Sequence, residues 1–109
     1  MLRKRNMRLR VLKRAQKRLQ QLFSYLECEF GEHTANKFQE EVIVKGESLL
    51  KFPEAGHPEP LLKGCKTFYR YIVVGKYNKM MYYIKGDIIV IADIWDMRQN
   101  PTTLQKRLK

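Results

Sequence analysis

Residues 88–95 (IIVIADIW) constrain the fold more than any other stretch. Seven of these eight side chains are apolar, and five of the seven are Ile or Val. The run is too short for a packed helix and too rich in β-branched residues, so it predicts a strand covered on both faces. The chain before it changes period twice. Over 7–12, Met7, Leu9 and Val11 alternate with Arg8 and Arg10, which predicts a short half-buried strand. From there Ala15, Leu19, Leu22, Phe23, Leu26 and Phe30 fall on one helical stripe. Gly31 stands where a helix C-terminus places a left-handed residue.

A second helix is predicted over about 34–51, with Thr34 as its N-cap and Ala35, Phe38, Val42 and Leu49 as its apolar stripe. So short a link makes the two helices an antiparallel hairpin. Pro53, Pro58 and Pro60 then impose an extended, irregular loop. Strands follow over 67–74 and 79–84, joined by Gly75–Asn78, and Lys85-Gly86-Asp87 turns the chain into 88–95. Asn100-Pro101 ends that strand, and 102–109 has room for one or two helical turns. The expected fold is α+β, a two-layer β-α-α-β-β-β sandwich. The helical hairpin packs on a mainly antiparallel sheet, whose other face, with tyrosines and basic side chains, is left concave or solvated.

At 109 residues this is one domain, 7–109, preceded by a basic extension, 1–6, that Met7 as an alternative start would leave out. Charge narrows the function classes. Lys and Arg number 22 against 11 acids, a net charge of +11. Both ends are cationic: nine of the first 18 residues are Lys or Arg, and no acid follows Asp96. The balance favours nucleic acid, a nucleoprotein or an acidic protein partner. Cys28 and Cys65 have neither C-x-x-C spacing nor a histidine pattern for a metal, so both read as free thiols of a cytoplasmic protein, with no metal and no cofactor. No apolar run approaches the roughly 20 residues of a membrane span.

The order of elements, together with three local motifs, resembles the RelE/ParE superfamily of toxins from type II toxin–antitoxin (plasmid stabilisation) systems. The first motif is Ala15…Leu22-Phe23-Ser24-Tyr25-Leu26…Gly31…Ala35…Phe38 in the hairpin. The second is the turn Leu49-Leu50-Lys51-Phe52-Pro53-Glu54-Ala55-Gly56. The third joins Tyr69-Arg70, Met81-Tyr82-Tyr83-Ile84, the strand to Asp96, Arg98 and Asn100-Pro101. The resemblance implies a growth-arresting toxin held in a hetero-oligomer by a cognate acidic antitoxin. Its target would be DNA gyrase for a ParE-like member, or ribosome-bound mRNA, cut without metal, for a RelE-like one.

The same resemblance assigns Arg70, Lys79 and Arg98 to one phosphate, with Tyr82 nearby. Cleavage of RNA needs such donors together with a general acid and base. Each residue also has a plainer reading: Arg70 paired with Asp93, Lys79 as a surface lysine, Arg98 paired with Asp96, the tyrosines as cross-strand packing. After Trp95 there is no His or Tyr to serve as the acid, and His33 and His57 fall elsewhere. That departure from the nuclease pattern favours ParE-like action by binding. A non-catalytic RNA- or ribosome-binding protein and an inactive copy of the same fold are the other readings.

Overall fold

The computed structural model describes residues 6–99 together with Lys106 and Leu108. The elements run β1 (Arg8–Val11), α1 (Lys13–Phe30), α2 (Glu32–Lys51), β2 (His57–Pro58), a 3-10 turn (Pro60–Leu62), β3 (Arg70–Val74), β4 (Asn78–Lys85) and β5 (Ile88–Asp96). They make the α+β sandwich expected, two helices on a five-stranded sheet ordered β1-β5-β4-β3-β2. Among the described strands only β1 and β5 pair in parallel. The first strand thus lies beside the last: the helical hairpin carries the chain from β1 to β2 at the far edge of the sheet, and β3, β4 and β5 bring it back.

β5 sits inside the sheet and is buried from Ile89 to Trp95. Its run accommodates an irregularity that a strict alternation would not. Met81 pairs with Asp93 and Tyr82 with Ile91, so Ala92 is an extra residue, a bulge. The bulge shifts the period, and Ile91 and Ile94, three apart, both reach the helical layer. There they join Ile89, Met80, Tyr82, Val74, Phe38, Leu49 and Ala15 in the main core.

The opposite face departs from expectation. Over β3–β5 it is not solvated: Met81 and Trp95 are sealed by Leu62 of the 3-10 turn, with Leu61, Cys65, Tyr69, Tyr71 and Leu108 around them. The proline loop folds back as this second covering, and His57-Pro58 adds a two-residue edge strand to β3. Tyr69 packs edge-on against Tyr83 at 5.8 Å, the packing role weighed for the tyrosines.

Two helix and strand bounds also differ. The helices are separated by Gly31 alone, at φ 95 and ψ 167, which is outside the left-handed helical region but open to a residue without Cβ. Gly31 N–H donates to Glu27 O and its carbonyl accepts from Ala35 N–H, so it caps both helices, and Thr34 lies inside α2 rather than at its N-cap. β3 begins at Arg70 instead of 67, because the chain leaves β4 there to enter the covering loop. Most of 102–109 lies outside the described residues.

The outer edge of β3 is closed beyond Tyr71 by α2. Lys45 Nζ donates to Val73 O at 2.6 Å, Gly75 N–H donates to Glu41 Oε2 at 2.8 Å, and Lys45 and Glu41 pair at 2.9 Å. Partial burial pushes the Glu41 carboxyl upward, but the hydrogen bonds from Lys45 and Gly75 and the Lys45 charge outweigh it and hold the group below its ordinary 4.5. A carboxylate with a depressed pKa stabilises the fold above its unfolded value and loses that contribution as pH falls through the folded one. Glu41→Gln is therefore expected to lower the melting temperature at pH 7, with the gap to the parent chain closing below pH 4.5. A gap independent of pH would show that the Glu41 charge has no part in holding this edge.

Candidate functional site

Register decides which of the predicted site residues meet. In the β3–β4 ladder Arg70 is opposite Tyr82, and Val73 is opposite Lys79. Directly paired residues share a face and neighbours along a strand alternate, so Arg70 and Tyr82 project to the helical side while Lys79 projects to the other. Arg98 follows β5, at the end of the sheet. The three cations do not converge on one phosphate-sized volume, as the sequence reading had them do. The sheet itself separates Arg70 from Lys79. It likewise separates Arg70 from Asp93, which is opposite Met81 and accepts from Ile94 N–H, so the Arg70–Asp93 pair does not form.

Each of the four residues has a partner within the chain. Tyr82 is fully buried and its hydroxyl donates to Pro53 O at 2.7 Å while accepting from Gly56 N–H at 2.8 Å. Arg70 Nη1 donates to Gly56 O at 2.9 Å and to Glu54 O at 3.4 Å. Together they clasp the turn 53–56 to the sheet. The fit leaves no space at Gly56: a Cβ there would lie 2.5 Å from Tyr82 Oη and 2.8 Å from Tyr71 O. Burial raises the Tyr82 pKa, with the Gly56 hydrogen bond and the Arg70 charge opposing and Glu54 adding to it. The phenol stays protonated at neutral pH and is sealed from solvent, so it holds the turn and offers no base.

On the opposite face Lys79 is mostly buried and Nζ reaches Glu59 Oε2 at 2.9 Å, over the Tyr71 ring at 4.1 Å. Glu59 is fully buried, and its backbone N–H donates to Tyr69 O. Lys79 is therefore the tie that pins the covering loop. It is not the surface lysine of the plainer reading. Nothing in the sequence pattern singled out Glu59; a carboxylate between Pro58 and Pro60 in a loop reads as solvated until the loop is seen to fold inward. Gly56 was visible as the last residue of the Phe52–Gly56 motif, but its reason, the Tyr82 ring, is distant in sequence.

Of the three candidate cations Arg98 is the most accessible. Its side chain makes a two-point contact with Asp96, Nη2 to Oδ2 at 2.9 Å and Nε to Oδ1 at 3.1 Å, and its guanidinium lies 4.3 Å from the Tyr77 ring centroid. This is the Asp96 pair of the plainer reading. Hydrogen bonds from Arg98 hold the Asp96 carboxyl below its usual range against a smaller effect of burial, so Asp96 is ionised at neutral pH and is no proton donor. His57 lies against Tyr71, and His33 is exposed in the first turn of α2. Among the described residues, no three His, Cys, Asp or Glu side chains are placed to hold a metal. Cys28 and Cys65 are free, and no described helix is long and apolar enough to cross a membrane.

The site is thus framed by a helical hairpin packed on a sheet whose first and last strands pair in parallel, with the turn 53–56 clasped to it. The family described as "ParE toxin of type II toxin-antitoxin system, parDE" matches residues 9–101, and the chain belongs to that family. It is similar in fold to a structure of the "Chromosomal ParDE TA system from P. aeruginosa", with a TM-score of 0.70 at 17% identity, covering 86% of this chain and 99% of that one. No curated protein matches.

Two substitutions test the roles found for the site residues. Tyr82→Phe leaves Gly56 N–H and Pro53 O without their partner and is expected to cost about 1–3 kcal/mol in urea unfolding; an unchanged midpoint would show that the clasp carries no stability. Lys79→Ala strands the buried Glu59 carboxylate and is expected to cost about 3–5 kcal/mol, most of it recovered in the double variant Lys79→Met/Glu59→Gln. A double variant as unstable as the single one would mean that Lys79 acts through something other than Glu59.

Proposed function

We propose that this toxin arrests growth in the cytoplasm by binding DNA gyrase, and that an acidic antitoxin holds it inactive in a hetero-oligomer. Membership of the ParE family supports a toxin paired with an antitoxin. The observation that carries the choice of target is the separation of Arg70, Lys79 and Arg98. Arg70 and Lys79 are committed to opposite faces and to internal partners, and Asp96 is ionised. RNA cleavage needs donors gathered on one phosphate with a proton donor beside them, whereas inhibition by binding needs only a surface. Arg98 belongs to such a surface: it is exposed and stacked on Tyr77, with Met97 and Tyr25 also exposed.

The test is to induce the chain alone in a bacterial host, pulse-label DNA and protein synthesis, and assay supercoiling by purified gyrase with added toxin. Early loss of DNA synthesis and inhibited supercoiling are expected. Immediate loss of amino-acid incorporation with DNA synthesis intact, accompanied by cuts in ribosome-bound mRNA, would replace this reading with the RelE-like one. Arg98→Ala is expected to abolish growth arrest while shifting unfolding by no more than about 0.5 kcal/mol, the usual range for an exposed position. Full arrest by that variant would remove Arg98 from the target surface.

A further inference from the structure

The cations at the start of the chain have no part in the clasp, the covering loop or the surface around Arg98. From Arg8 to Leu26 six residues are Lys or Arg and none is an acid; Glu27 is the first. Two elements set where these side chains point. β1 is the outermost strand of the sheet, and Leu9 and Val11 are opposite Ile89 and Ile91, which reach the helical layer. Arg8 and Arg10 therefore project from the other face. Lys13 and Lys17 lie one turn apart on α1, on the side away from Ala15 and Leu22, and so point off the helical layer. All four are exposed. They bracket the β1 edge of the sandwich, two from each of its layers.

Contacts within the described residues do not account for this gathering of charge. Arg8 lies 3.8 Å from Asp87, a pair with both side chains mostly in solvent and of little worth. Among the described residues, Arg10, Lys13 and Lys17 pair with no acid. The first turn of α1 holds no acid, Leu12 gives it no side-chain cap, and cations there oppose the helix dipole. The isolated fold therefore carries a repulsion that an anionic partner would relieve. Apolar anchors of the kind a protein interface needs are scarce. From Arg8 to Ser24 the one large apolar side chain exposed is Leu9, at 38%.

We propose that the β1 edge binds duplex DNA through its phosphates, independent of base sequence. A duplex presents two lines of phosphates flanking a groove, the major one about 12 Å across. Cations on both sides of one edge meet both lines, where a single strand would meet one. Lys and Arg suffice for such contacts, and release of counterions supplies the affinity. An anionic bilayer fits less well, because the apolar stripe of α1 that could enter it is already packed on the sheet. What the contact does for the toxin rests on the gyrase reading: gyrase holds a duplex, so a toxin touching enzyme and DNA together is retained by both.

The test titrates the full-length chain into a fluorescein-labelled duplex of about 20 base pairs and follows anisotropy between about 50 and 200 mM salt. Binding is expected, with log affinity falling against log salt at a slope of about −4, from about −0.9 for each phosphate met. Lys13→Glu/Lys17→Glu is expected to weaken binding about tenfold or more and to reduce that slope by about two. The same variant is expected to hold or raise the melting temperature, because acids suit the N-terminal turns of a helix. Lys37→Glu/Lys76→Glu changes the net charge equally, but beside the β3–β4 turn, where Phe38 meets Gly75, across β5 from β1. It is expected to weaken binding no more than about threefold. No binding, equal losses in the two double variants, or tighter binding of a single-stranded RNA of the same length or of phosphatidylserine vesicles would each overturn the proposal. Supercoiling by gyrase is scored separately with the parent chain. Inhibition without duplex binding removes the DNA contact and leaves the gyrase reading in place; duplex binding without inhibition does the reverse.

Discussion

The structure depends on the burial of β5 from both sides. A strand whose residues from Ile89 to Trp95 are all buried needs neighbours along both edges and a layer on each face. β1 and β4 supply the edges, the helical hairpin supplies one layer, and the loop through Leu62 supplies the other. Each of the remaining features serves one of those contacts. The Ala92 bulge sets Ile91 and Ile94 on the helical side, the Lys79–Glu59 pair holds the loop down, and the Tyr82–Arg70 clasp fixes the turn at which helix gives way to loop.

The two polar tethers differ in kind. The clasp at Gly56 satisfies backbone groups that a tight turn leaves unpaired, and so removes a cost that burial would impose. The Lys79–Glu59 pair buries two charges, whose attraction has to offset their lost hydration. It adds little net stability, yet it forbids any arrangement in which the loop lies down without that lysine opposite that carboxylate. The first tether makes the turn affordable; the second makes its placement unique.

How much of this was legible in the sequence follows from the range of each interaction. The helices, the strands and their order show in local periodicity, and Gly31 marks the hairpin even though Thr34 proved to lie beyond the cap. The second covering was not legible, because Pro53, Pro58 and Pro60 signal only the absence of regular structure and say nothing of where the loop goes. Site residues fared differently for the same reason. Arg98 and Asp96 are two apart and their pairing was among the readings. Arg70 and Lys79 are separated by a register that only the ladder reveals, and Glu59 owes its partner to a contact 20 residues away. Family resemblance named the positions but could not say that two of them face away from each other.

The parallel pairing of β1 with β5 has a consequence for how the molecule comes into being. The strand that completes the core is the last of the five to be made, and its neighbour on one edge is the first. Until both exist the helical hairpin has no sheet to lie on, and the covering loop has no Trp95 to cover. Such a topology concentrates its decisive contacts between distant parts of the chain, and folding is correspondingly late and slow compared with a protein of local contacts. In a chain built this way the helical hairpin and the covering loop reach their final places together, once the final strand has closed the sheet.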